Sequence, residues 1–106
     1  TIQLFTKSNR QWHAKPLTQG EINLFKTTAA HSKISPIVAH ATYLINIASP
    51  DKKNEAASVD ALTKELARCQ ELGIHYLVLH PGSYTKGTID DGLQRIIQNL
   101  NHILEK

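Results

Sequence analysis

The run Ile74-His75-Tyr76-Leu77-Val78-Leu79-His80-Pro81-Gly82 decides how the chain is built. From Ile74 to Leu79 its apolarity is almost unbroken, the pattern of a central strand buried on both faces of a parallel sheet, and Pro81-Gly82 ends it. Directly upstream, Val59, Leu62, Leu66, Cys69 and Leu72 form one apolar stripe at helical spacing, and Gly73 stands where a helix C-cap glycine belongs. Downstream, Thr88 with Asp91 three residues on forms a capping arrangement, and Leu93, Ile96, Ile97, Leu100 and Leu104 line one face of a closing helix. The second half of the chain therefore reads helix, strand, helix.

The same grammar extends to the N-terminus. Ile2-Gln3-Leu4-Phe5-Thr6 is short, apolar and rich in strand formers, and the polar run from Lys7 to Arg10 bounds it. Thr18 and Glu21 form a capping box, after which Ile22, Phe25 and Ala29 recur at helical spacing to about Lys33. Ser35-Pro36 breaks that helix, and Ile37-Val38-Ala39 is a second strand ending at His40, followed by a loop through Ser49-Pro50-Asp51. The sequence thus predicts three strand-helix units, over residues 1–34, 35–73 and 74–106. They repeat about every 35–40 residues, the spacing that parallel strands with helical crossovers require. The class is α/β. Three parallel strands leave two open edges, so the expected context is a larger sheet, either doubly wound or a closed (β/α)8 barrel of about 250 residues. Open edges also predict self-association.

Composition sets outer limits. The 106 residues suit one domain, and 41% apolar with 20% charged residues and a mean hydropathy of -0.30 describe a soluble globular chain rather than a disordered, collagenous or lipid-spanning one. A net charge of +3 permits an anionic partner without demanding one. The single cysteine, Cys69, cannot form an internal disulfide, which points to a reducing compartment and makes the cytoplasm the expected location. It falls on the core stripe of the second helix and reads as packing rather than as a nucleophile. No apolar run approaches the ~18 residues of a membrane span, and no signal-peptide pattern opens the chain. A chain that begins at Thr1 and contains no Met is expected to be a piece of something longer.

Chemistry concentrates at the predicted strand ends. His40 and His80 each close a strand in successive units, and residues two apart on a strand share a face, so Val38 and His40 align as do Tyr76, Val78 and His80. Two converging imidazoles at the carboxyl ends of parallel strands suit zinc or a similar divalent ion. The competing reading is two ordinary histidines beside turns. His13, His31, His75 and His102 are read as solvated or capping. The loops behind the strands carry Arg10 and Trp12 in the first unit and Tyr43 and Leu44 in the second, basic, aromatic and aliphatic groups that suit a phosphate backbone and a wedge into a nucleic-acid groove. Alternatively, Trp12, Tyr43 and Leu44 merely cover the end of the sheet.

Four stretches carry a resemblance: Phe5 to Trp12, His40-Ala41-Thr42-Tyr43-Leu44-Ile45-Asn46, Arg68-Cys69-Gln70-Glu71-Leu72-Gly73, and His80-Pro81-Gly82-Ser83. In this order, along essentially the whole chain, they resemble the endonuclease IV family of apurinic/apyrimidinic endonucleases. The resemblance implies a (β/α)8 TIM barrel with three zinc ions at its carboxyl face, of which this chain looks like the second to fourth units. It implies that His40 and His80 are ligands of one zinc, and that Arg10, Tyr43 and Leu44 enter the minor groove of double-stranded DNA at abasic sites. The implied reaction is hydrolysis of the phosphodiester 5′ to the abasic site by a zinc-activated water, as part of DNA repair. It further implies that the remaining carboxylate and histidine ligands lie beyond Lys106, so that the 106-residue chain alone is catalytically incomplete. Tyr84 departs from the pattern, standing where many members carry a further histidine after His-Pro-Gly-Ser. Two other readings remain open: a metal-dependent sugar-isomerase-like barrel, and a non-enzymatic DNA-binding or structural module. An exposed Arg10 and a Tyr43-Leu44 wedge serve DNA rather than small polyols, and zinc content separates the module from the enzymes.

Overall fold

The computed structural model describes residues 2–7, 11–13, 15–83 and 87–105. Three strands, β1 (Ile2–Leu4), β2 (Ile37–His40) and β3 (Tyr76–Val78), form one parallel sheet in the order β1-β2-β3. Each is followed by a helix: α1 (Gln19–Ser32), α2 (Lys52–Leu72) and α3 (Ile89–Leu104). Spatial order equal to chain order means that the chain winds steadily in one direction, with α2 packed between α1 and α3. A barrel wall is laid this way, whereas a doubly wound sheet reverses its direction at a switch point. The molecule is an open arc of a TIM barrel.

Local chemistry sets the helix ends. The Thr18 hydroxyl accepts from Glu21 N at 3.1 Å and the Glu21 carboxylate accepts from Thr18 N at 3.1 Å, the reciprocal capping box that the sequence predicts. Asp51 caps α2 through Lys53 N at 3.0 Å, and Thr88 caps α3 through Asp91 N at 3.1 Å. Gly73 closes α2 at φ 74°, where its N–H bonds Gln70 O while Ile74 N bonds Cys69 O at 2.8 Å.

Register decides which face is covered. Leu4, Ala39 and Leu77 stand in line across the sheet and face the helices, where Ala39 is fully buried with Ile22, Cys69, Leu72 and Ile74. A second cluster of Ala41, Ile45, Ile47, Ala61, Leu62 and Ile103 lies between α2, α3 and the loop after β2. The other face carries Gln3, Val38 and Tyr76 in register. It is open: Tyr76 is 58% and Val78 39% exposed.

Two expectations change here. The run 74–79 predicts a strand buried on both faces, but only Tyr76 to Val78 pair as strand and only the helix side is covered. Ile74 and Leu79 owe their apolarity to packing against the helices, outside the ladder. β1 likewise stops at Leu4, two residues before the predicted end. The open face shows in the dimensions. The Cα radius of gyration is 15.1 Å, against about 13 Å for a compact chain of this length. The accessible surface is 7201 Å², against about 5900 Å² for a folded monomer of this mass. Among the described residues no helix is long and apolar enough to cross a membrane.

Candidate functional site

The carboxyl ends of the three strands and the loops behind them make one rim. His40 is the last residue of β2 and is 5% exposed. His80 is exposed and lies two residues past the end of β3, and since His40 pairs in register with Val78, it stands one pleat further out on the same side. The stagger does not separate them: the two ring centroids are 5.1 Å apart at an interplanar angle of 34°. Nδ1 of His40 lies 2.7 Å from the carbonyl oxygen of Ala41. A carbonyl can only accept, so Nδ1 is the donor, which in the neutral ring leaves Nε2 as the nitrogen with the lone pair. Histidines that hold metals are commonly oriented by such a bond from the other ring nitrogen.

The spacing of the two rings is compatible with a shared divalent cation. With metal–nitrogen distances of about 2.0–2.1 Å and a tetrahedral angle, two imidazoles on one ion place their ring centroids about 5 Å apart, close to the separation seen here. Among the described residues no group of three or more His, Cys, Asp and Glu side chains that could hold a metal ion comes together.

Aromatic packing fixes the buried ring. Phe5, just past β1, lies 5.1 Å from His40 and 5.5 Å from Tyr43 between centroids, and Tyr43 lies 5.3 Å from His40, edge-on. Tyr43 is nevertheless 63% exposed, and Leu44 beside it is half-buried. The structure thus brings His40, His80 and Tyr43 into one cluster with Leu44 adjoining. Arg10 and Tyr84 lie outside the described residues.

The loop bearing Tyr43 is unusually well buried. Ala41, Thr42, Ile45, Ile47, Ala48 and Ser49 are each at most 5% exposed. Side chains of α3 hold its carbonyls from below, Asn99 Nδ2 on Ile47 O at 2.9 Å and Arg95 Nε on Ala48 O at 2.8 Å. Asn46 ties it to the loop after β3: Oδ1 accepts from Ser83 N at 3.0 Å and Nδ2 donates to Ser83 O at 3.0 Å, while Ile47 N donates to Pro81 O at 3.0 Å. Gly82 is required there. Its φ is +114°, and a Cβ would stand 2.8 Å from Asn46 Cα.

On the other side, Glu65 of α2 ties the same loop to the one after β1. Its carboxylate, 1% exposed, accepts from Thr6 Oγ1 at 2.8 Å and from Thr42 N at 3.2 Å. Arg68, one turn on, donates to the carbonyls of Thr6 and Lys15. Burial pulls the nearby Lys7 ammonium below the usual lysine value, with Glu65 opposing and Arg68 adding to the fall. Burial also pushes the Cys69 thiol up, and Glu65 adds to the rise against Arg68. A cavity of about 360 Å³ is lined by Trp12, Leu17, Arg68 and Glu71 and touches neither His40 nor His80.

Sequence reasoning missed Phe5, Asn46 and Glu65. Glu65 left a signal: it sits with Leu62, Cys69 and Leu72 on the buried stripe of α2, where a charged side chain needs polar partners. Asn46 left none, because its role depends on a backbone 37 residues away.

Strand order, one-sided helices and a pair of histidines at the carboxyl rim define an arc of an α/β barrel. The family model described as xylose isomerase-like TIM barrel matches residues 1–106, and the chain belongs to that family. It is 37% identical over 106 residues to "Probable endonuclease 4" of Trichlorobacter lovleyi, spanning 100% of this chain and 38% of that one. It is 43% identical to "Probable endonuclease 4" of Campylobacter fetus subsp. fetus, spanning 96% of this chain and 37% of that one. The crystal structure of endonuclease IV from Thermus thermophilus superposes with a TM-score of 0.77 at 31% identity, over 95% of this chain and 36% of that one. The resemblance to endonuclease IV therefore holds in sequence and in fold, and the chain spans a little over a third of the length of the relatives it matches.

Proposed function

We propose that the protein is a zinc-dependent DNA repair endonuclease that hydrolyses the phosphodiester 5′ to an abasic site. The family also takes its description from sugar isomerases, so membership alone does not choose between the chemistries. The likeness to proteins named endonuclease 4 favours the nuclease. The observation that carries the proposal is the convergence of His40 and His80 at the strand ends, with Nε2 of His40 left as a lone-pair donor by the bond from Nδ1 to Ala41.

In this reading, His40 and His80 hold one zinc. Bound zinc supplies a nucleophile by lowering the pKa of a coordinated water to about 7, and it offsets the negative charge of the phosphate. The chain's own contribution is orientation. Phe5 and Tyr43 hold the His40 ring in place, while Tyr43 and Leu44, with Arg10, meet the minor groove where an abasic nucleotide stacks poorly and is easily displaced. The remaining ligands are supplied by other parts of the barrel, so the 106-residue chain alone is inactive. The reading places the protein in the cytoplasm and its DNA on the rim.

The test is cleavage of an abasic duplex by the full-length gene product. His40→Ala and His80→Ala are each expected to lower kcat/KM by at least about 100-fold and to reduce bound zinc measured by elemental analysis. Affinity for the duplex should fall steeply with added salt. Isomerisation of a small sugar without salt-dependent DNA binding would overturn the reading in favour of the isomerase chemistry.

A further inference from the structure

Glu65 reaches His40 through a single peptide unit. The Ala41 carbonyl accepts from His40 Nδ1 at 2.7 Å, and the N–H on the other side of that same peptide, Thr42 N, donates to Glu65 Oε1 at 3.2 Å. His40, Ala41, Thr42 and Glu65 are each at most 5% exposed. A peptide whose N–H is drawn toward a carboxylate has more electron density on its oxygen, so the two hydrogen bonds strengthen each other in a low-dielectric setting. The second carboxylate oxygen is held by the Thr6 hydroxyl at 2.8 Å, which stops the side chain from turning away and leads directly into Phe5, the ring packed on His40.

We propose that Glu65 is a positioning residue for His40, fixing its tautomer and the aim of Nε2 through the Ala41–Thr42 peptide, and fixing the packing of Phe5 through Thr6. This goes beyond the ligand role given to His40 and rests on that reading only where metal affinity is concerned. The arrangement is the carboxylate–histidine support found behind metal-binding imidazoles, with a peptide inserted between the two groups.

The experiment uses the full-length protein with Glu65→Gln and Glu65→Ala. Glutamine retains both contacts, since its oxygen can accept from Thr42 N and its nitrogen can donate to Thr6 Oγ1, but it removes the charge. In metal-free protein, nitrogen-detected NMR should show His40 protonated at Nδ1 in the wild type. In Glu65→Gln, the Thr42 amide proton and the His40 Nδ1 proton should both move upfield, as a charge-assisted bond becomes a neutral one. In Glu65→Ala, Thr42 should lose amide-exchange protection and His40 should populate both tautomers, while amides of β2 and β3 stay protected. Zinc affinity by chelator competition should fall about tenfold in Glu65→Ala and be largely recovered in Glu65→Gln. An unmoved His40 Nδ1 proton in Glu65→Gln overturns the proposal, even if Glu65→Ala fails to fold. Equal loss of protection across the whole sheet in both variants overturns it as well, because that assigns Glu65 to general stability. If the wild type binds no zinc, the functional reading fails, while the NMR coupling still decides the role of Glu65.

Discussion

At the scale of single residues, the rim is held by side chains that bond main chain from a neighbouring loop. Gly82 is the tightest point. Alanine there must adopt φ near +114° and place its Cβ against Asn46, so Gly82→Ala is expected to cost about 1–3 kcal/mol in urea unfolding and to raise amide exchange at Ser83. A loss confined to stability, with Ser83 unchanged, would count against Asn46 as the link between the loops. Cys69 makes the opposite point. Burial, then Glu65, raises its thiol pKa, so the nucleophilic thiolate is scarce at neutral pH. Iodoacetamide should label it only as fast as the protein opens, with a rate that follows added denaturant. Rapid labelling of the native protein would contradict the burial.

At the scale of elements, α2 carries the arrangement. It packs on both neighbouring helices, and its inward stripe holds Ser58, Leu62, Glu65, Cys69 and Leu72, of which Ser58 and Glu65 bond the loop after β2 and the rest form the core. Its N-terminus is held by Asp51, itself at the end of that loop. Asp51→Ala should therefore destabilise the protein by about 1 kcal/mol, seen as a lower urea midpoint at unchanged slope. A changed slope would mean that the cap governs more than the helix end. The caps at Thr18, Thr88 and Gly73 were readable because they depend on residues three or four apart, whereas Asp51 read only as loop. The extent of β1 and β3 was not, because Ile74 and Leu79 are apolar for the helices' sake and not for the ladder's.

At the scale of the whole molecule, the open inner face is the dominant feature. Tyr76 and Val78 are exposed where a closed barrel would bury them, and α3 leaves Ile89, Leu93, Ile97 and Leu104 exposed along its length. The 106-residue chain expressed alone is expected to self-associate, seen as a concentration-dependent mass in sedimentation, and to show no turnover of an abasic duplex under conditions where the full-length protein cleaves it. Turnover at the full-length rate would refute the reading that ligands from elsewhere in the barrel complete the site.

By itself, the sequence determined the three-fold alternation of strand and helix, the helix caps at Thr18, Thr88 and Gly73, and the placement of His40 at the end of one strand and of His80 just beyond the next. Those are consequences of local spacing, of which residue follows which by two, three or four. Only the tertiary structure decided that His80 lies a pleat beyond His40 and still meets it, that Phe5 and Tyr43 pack around the same ring, and that Asn46 and Glu65 bind the rim together. These depend on sheet register and on contacts between residues tens of positions apart, which chain closure and packing create and no local pattern encodes.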